Sequence, residues 1–224
     1  MLPQPGGQRV VPVLAGDVMS EPLVLAIDQG TTSSKALLVG ADGTVRAAAS
    51  RPLSIRTPRP GWVEQDADEL WTSVSEAIEA CLAGADVELA GIAISNQRET
   101  VVAWDGASGR PVGPAISWQD QRGDRRCDEL RTPQSSALVE AISGLELGSM
   151  YSATKIGWLQ DHHRAVADLR VGTVDAWLLD RFTGGDSHAC EAGNAARTLL
   201  FSLADSDWSP ELGDLFGIDL AGLP

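Results

Sequence analysis

The chain predicts an α/β fold in which a mixed β-sheet is flanked by helices. Three observations lead there. Strand-like apolar runs crowd together between Leu23 and Ser50, with tight-turn residues between them. Beyond them, segments with helical apolar spacing alternate with short apolar runs. No internal repeat interrupts that alternation, and no low-complexity tract lies beyond the first twenty residues. At 224 residues the chain can bury a real core and hold one large or two small domains.

The first twenty residues are rich in Pro, Gly and Gln and lack the apolar stretch of a signal peptide. Residues 1–20 therefore read as a disordered leader to a folded region, 21–224. Met19 stands just before the first strand and offers an alternative start. Leu23–Ile27, Ala36–Val39 and Thr44–Ser50 read as three antiparallel strands, with Asp42-Gly43 supplying the turn between the last two. Arg56 to Gly61 is a loop punctuated by prolines. An Asp66-x-x-Glu69 capping box opens a helix. Its residues Leu70, Trp71, Val74, Ala77, Ile78 and Cys81 share one face. Leu89–Ser95 reads as a buried strand and Thr100–Trp104 as another, ending at Asp105-Gly106. Ala115–Trp118 is a short strand. Gln121–Arg131 is polar and helical. Ser152–Asp168 reads as a helix turning Ile156 and Leu159 inward. Val174–Phe182 is a more apolar helix, stopped by Gly184-Gly185.

Composition excludes several classes. The 17 basic residues face 31 acidic ones, for a net charge of −14. That argues against a nucleic-acid surface or an anionic membrane surface. Cys81, Cys127 and Cys190 are odd in number and far apart. They fit neither a zinc site nor a disulfide framework and point to a reducing cytosol. No apolar run approaches the roughly 18 residues of a membrane span.

Three clusters carry chemistry. In Leu23 to Val39, LVLAIDQGTTSSKALLV, an apolar run ends on Asp28. A glycine, four hydroxyl residues and Lys35 follow. A tight turn between two strands would gather a carboxylate, small side chains and free N–H groups, which a phosphate with its metal needs. The turn is too short for a P-loop opening a helix. The same residues would also serve as a plain polar hairpin turn. The second cluster, Ser95-Asn96-Gln97-Arg98-Glu99-Thr100, sits at a strand end, where α/β sheets bind ligands. Arg98 and Glu99 offer a donor and an acceptor suited to a polyhydroxylated ligand, or an ion pair of purely structural use. The third is Trp118-Gln119-Asp120-x-Arg122. Its Trp could floor a sugar site or join the core. His162-His163 are helical neighbours pointing apart, which disfavours a metal site.

The order of these clusters carries a resemblance. IDQGTTSSK, GWVEQDADELW, AISNQRET, AISWQDQR, YSATK, GTVDAWLLDRFTGG and NAARTLLF together resemble the FGGY carbohydrate kinases, from about Leu23 to Pro224. Within that family the wording is closest to its glycerol-kinase branch. The resemblance implies a ribonuclease H-like (actin-like ATPase) domain, the N-terminal half of a two-domain kinase. ATP with Mg²⁺ is the implied cofactor, and a small polyol or sugar is the implied partner. The expected site is cytoplasmic, with no nucleic acid or membrane bound and homo-oligomerisation left open.

Carried over by position, Gly30, Thr31, Thr32, Ser33 and Lys35 match the loop that meets nucleotide phosphates, and Asp28 matches the carboxylate that organises Mg²⁺. Lys35 stands where that branch usually has Arg, keeping the charge without the bidentate fork. Arg98 and Glu99 match the pair that binds polyol hydroxyls, and Trp118 matches an aromatic wall. Met150 occupies the usual position of a substrate-binding Tyr. Tyr151 is its neighbour, where Phe is common. The general base, the Asp of a G-D-x-x-x-A motif, belongs to a second, ATP-binding domain absent from this chain. Gly16-Asp17, Gly123-Asp124, Gly185-Asp186 and Gly213-Asp214 all lie in the wrong context. Two other readings remain: a kinase of the same family for another polyol or ketose, and a non-catalytic sugar-binding or regulatory module.

Overall fold

The computed structural model describes residues 22–224. The leader expected over residues 1–20 and Met19 lie outside them. The chain divides into two compact units. One takes residues through Ser54 together with Asp68–Asn96, and the other takes Ile55–Ala67 and Gln97–Pro224.

The first unit is a mixed sheet with a helix on one face. β1 (Leu23–Gln29), β2 (Ser33–Val39) and β3 (Val45–Pro52) form an antiparallel meander. The Asp42-Gly43 turn joins β2 to β3 as its sequence predicts. Gly43 has φ 77°, a left-handed conformation that favours glycine, and the Asp42 carboxylate accepts the Thr44 N–H at 3.0 Å. Inward residues alternate along β1 and β2, so Leu25, Ile27, Ala36 and Leu38 are buried.

The helix α1 (Ala67–Leu82) covers that face with Leu70, Val74, Ala77 and Cys81, all buried. Burying each large aliphatic side chain contributes about 1.5–3 kcal/mol. Two polar ties fix the helix against the sheet: the Ser34 and Ser73 hydroxyls meet at 2.7 Å, and Arg51 pairs with Glu76 at 3.3 Å. At the start of the helix the Glu69 carboxylate accepts the Ser54 N–H at 2.9 Å.

A strand over Leu89–Asn96 completes the sheet, pairing parallel to β1 in the order β3-β2-β1-β5. It is numbered β5 because β4 (Glu64–Gln65) precedes it in the chain. The sequence predicts a buried strand here, and the structure corrects this. β5 is an edge, paired only with β1 among the described residues, and Ile92 is 51% exposed. Its apolar run resembles that of a central strand, yet burial depends on neighbours that the run itself does not specify.

The second unit is built on β6 (Val101–Asp105), whose residues Val101 to Trp104 are all fully buried. β6 pairs antiparallel with β7 (Arg110–Pro111), β8 (Ala115–Ile116) and, over its whole length, β9 (Leu169–Thr173). β4 extends this second sheet beside β8. The helices are α2 (Asp124–Leu130), α3 (Pro133–Ser143), α4 (Ala153–His162), α5 (Val174–Thr183), α6 (Ala192–Ala195) and α7 (Pro210–Phe216). A short hairpin, β10 (Phe201–Ser202) with β11 (Asp207–Trp208), lies between the last two helices. The core joins Val101, Ile116, Val139, Ile156, Leu159, Leu199 and Phe216.

Two predicted helices change length. α2 begins only at Asp124, because Gln121 donates its N–H to Gly61 and Asp124 to Gln121 in a preceding turn. α4 stops at His162, and β9 occupies Leu169–Thr173, where pairing with β6 captures the chain. α5 ends as predicted, with Gly184 and Gly185 at φ 64° and 91°.

Candidate functional site

In the first unit, the turn between β1 and β2 is Gly30-Thr31-Thr32, closed by the Gly30 N–H donating to the Ser33 carbonyl at 2.9 Å. The buried Gln29 amide ties the Gly30 carbonyl at 2.7 Å. Among the described residues the Thr32 and Ser33 hydroxyls make no hydrogen bond, and Thr32 is exposed. Asp28 and Lys35 face each other across the two strands and pair at 3.6 Å, each about half exposed. A carboxylate, a cation and two free hydroxyls at one accessible turn fit a phosphate and a hydrated divalent ion.

The second cluster lies in the other unit from Gln97 onward, at the entry to β6. Arg98 is exposed, and its guanidinium holds no partner among the described residues. Its neighbour Glu99 is the opposite in every respect. It is 8% exposed and sits at φ 65°, a left-handed conformation unusual for a residue other than glycine. Such strain persists only where the surroundings over-determine it. Here the Ser152 hydroxyl donates to the Glu99 carbonyl at 3.2 Å, and Arg197 Nε donates to the carboxylate at 2.5 Å. One residue is therefore free to meet a ligand, while the next is set in place.

A buried polar ladder positions Trp118. The Gln97 amide donates to Gln65 at 2.8 Å, the Thr100 hydroxyl donates to Gln97 at 3.1 Å, and the Trp118 N–H donates to the Thr100 hydroxyl at 3.1 Å. Trp118 itself is half-buried. Of the rest of its cluster Gln119 is exposed, while Asp120 and Arg122 turn away from solvent. Asp120 is 1% exposed, accepts the Val63 N–H at 2.6 Å and pairs with Arg122 at 2.8 Å. Arg122 also reaches Glu64 at 2.7 Å and lies against both the Trp62 and Trp158 rings, at 3.8 and 4.5 Å from their centroids. Asp120 and Arg122 thus form a buried structural ion pair.

Met150 and Tyr151 lie on the loop before α4. Met150 is 40% exposed. The Tyr151 ring lies under the Arg197 guanidinium at 4.9 Å. Below them Lys155 is fully buried and donates to the carbonyls of Ser149 and Met150 at 3.0 and 2.5 Å. Burial pulls its ammonium down to about 8, while the charges of Asp120 and Glu99 pull it up.

Of the residues the sequence singles out, Glu99 and Tyr151 are brought together through Arg197. Asp28, Gly30, Thr31, Thr32, Ser33 and Lys35 gather at the turn of the first unit. The sequence reading omits Arg197, Ser152 and Lys155 from the site, although all three fall within the quoted NAARTLLF and YSATK runs. Arg197 follows the short α6, and no periodicity in the sequence brings it to Glu99. No group of three or more His, Cys, Asp or Glu that could hold a metal ion occurs among the described residues. None of their helices is long and apolar enough to cross a membrane.

Residues 23–224 match the family model described as the FGGY family of carbohydrate kinases, N-terminal domain. The chain is 39% identical over 210 residues to a glycerol kinase of Bacillus cereus, covering 90% of this chain and 42% of that protein. It is 44% identical over 212 residues to a glycerol kinase of Trichlorobacter lovleyi, with the same shares covered. Among solved structures, a glycerol kinase of Plasmodium falciparum with ADP superposes with a TM-score of 0.83 at 27% identity, covering 93% of this chain and 44% of that one. The chain therefore spans less than half the length of these relatives.

Proposed function

The chain belongs to the FGGY family of carbohydrate kinases, and from that premise we propose that it is the polyol- and phosphate-binding part of a kinase that phosphorylates glycerol. The observation that carries the polyol subsite is the contrast within one dipeptide: an exposed Arg98 with no partner among the described residues, beside a buried, fixed Glu99. A polyol hydroxyl both donates and accepts, so a cation and a held carboxylate recognise it from both sides. The glycerol kinases among the relatives support that substrate class.

The roles follow from the groups present. Arg98 donates to hydroxyl oxygens, Glu99 accepts from hydroxyl protons, and Trp118 offers its ring to C–H groups. Thr31, Thr32 and Ser33 are the phosphate-loop donors, and Gly30 closes their turn through its N–H to the Ser33 carbonyl. Asp28 would hold Mg²⁺, and Lys35 keeps a positive charge beside it. ATP with Mg²⁺ supplies the phosphoryl group and the counter-charge for its oxygens in a loose transition state. The attacking hydroxyl also needs a proton acceptor, a role that the resemblance gives to the Asp of a G-D-x-x-x-A motif.

A kinase for another polyol or a ketose is the second reading, favoured by Met150, which offers no hydroxyl donor. Titrating the 224-residue chain with glycerol, erythritol, pentitols and ketoses separates the two by the ligand bound most tightly. In the same titration Arg98→Ala should weaken glycerol roughly ten- to a hundred-fold, as for hydrogen bonds to a charged group. Unchanged affinity in that variant overturns the subsite.

A further inference from the structure

We propose that Arg197 is the positioning residue of the polyol subsite, acting through Glu99. This rests on the reading of Arg98 and Glu99 as polyol-binding. Arg197 Nε donates to the Glu99 carboxylate at 2.5 Å, and its guanidinium lies over the Tyr151 ring at 4.9 Å. One side chain therefore links the segment carrying Arg98 and Glu99 to the loop carrying Met150 and Tyr151.

The backbone under Arg197 is held firmly. Its N–H donates to Asn194 at 3.0 Å, and the Thr198 carbonyl accepts the Ala153 N–H, at the head of α4, at 2.8 Å. Upstream, the Asp175 carboxylate accepts the Glu191 N–H at 2.8 Å, and Glu191 caps α6 through the Asn194 N–H at 3.0 Å. The arginine is presented from a braced turn rather than a loose loop. Glu99, bent into a left-handed conformation and almost wholly buried, would lose its ion-pair partner without it, leaving only the more distant charge of Lys155. With it, Glu99 stays a fixed acceptor whose orientation no longer has to be ordered when the ligand arrives.

The test is a double-variant cycle read by glycerol binding to the whole chain, with thermal unfolding as a control. Arg197→Met should weaken glycerol about tenfold or more. In a Glu99→Gln background, which removes the charge that would otherwise be left unpaired, the same change should weaken it less than about twofold. Arg197→Lys, which keeps the charge, should recover most of the loss. An equal loss in both backgrounds overturns the proposal, since Arg197 would then act independently of Glu99. So does wild-type affinity in Arg197→Met. If Glu99→Gln and Arg98→Ala themselves leave glycerol binding unchanged, the polyol-subsite reading fails as well. If those two weaken binding and Arg197→Met does not, only the positioning role fails.

Discussion

Lys155 shows how much one residue can be asked to do without touching solvent. Its ammonium holds two carbonyls of the Met150 loop, and burial lowers it from an ordinary 10.5 to about 8. Below pH 8 the folded and unfolded chains both carry the proton, so this group adds no pH dependence. Between about 8 and 10.5 the unfolded chain keeps a proton that the folded chain has released, so stability rises with pH, by up to about 3 kcal/mol. The thiols oppose it. Burial holds Cys81, Cys127 and Cys190 up, Cys190 to about 12, so stability falls as unfolded thiols ionise. Lys155→Met separates the two, because both proteins share the cysteines. Urea unfolding across this range should give a wild-type-minus-variant difference that is flat below pH 8 and climbs above it. A difference flat throughout refutes the argument. At this scale the sequence is a partial guide. The place of Arg98 and Glu99 between two strands is legible because one apolar run ends before them and the next begins after them. Asp120 and Arg122 look equally polar in sequence, and the partners that hold them inward, Val63 for Asp120 and Trp62, Glu64 and Trp158 for Arg122, are distant in the chain.

Elements were legible where their signal is local. The Asp42-Gly43 turn and the one-sided apolar spacing of α1 need no distant partner to be recognised. α3 carries local signals too, with Thr132 capping Ser135, Pro133 in the first turn and a left-handed Gly144 at its end, although its apolar residues mark no helix as clearly as those of α1. β9 is different. Five residues between two helical patterns become a strand only because β6 offers them a ladder. The short strands β4 and β8 depend on a still less local device. Asp120 holds Val63, and Arg122 reaches Glu64, so the ion pair joins the loop after β8 to the residues of β4. Arg122→Met keeps an apolar body against the two indoles but leaves buried Asp120 without its ion-pair partner. It should cost about 3–5 kcal/mol in urea or thermal unfolding. A double change, Asp120→Asn with Arg122→Met, should recover part of that. A loss below about 1 kcal/mol in the single variant would show that the pair does not hold these strands.

At the scale of the whole molecule, the family assignment and the α/β class follow from motifs spread along the chain, and the division into two units does not. A boundary at Asn96 and Gln97 cuts through one polar motif that reads as continuous in sequence. Because the chain covers 42% of its bacterial relatives, the purified 224-residue protein should bind polyol without phosphorylating it. A coupled assay for ADP release should stay at background with glycerol and ATP present; steady glycerol-dependent turnover would contradict that. The open flank of β5 has a practical consequence for such work. Among the described residues no strand pairs with the flank of β5 away from β1, and that edge, beside exposed Leu89 and Ile92 with no proline or lysine in the strand, invites edge-to-edge aggregation. The protein should lose solubility as it is concentrated. Ile92→Lys, a gatekeeper charge on that strand, should raise the concentration at which light scattering first appears while leaving glycerol affinity unchanged. An unchanged scattering threshold would place the sticky surface elsewhere.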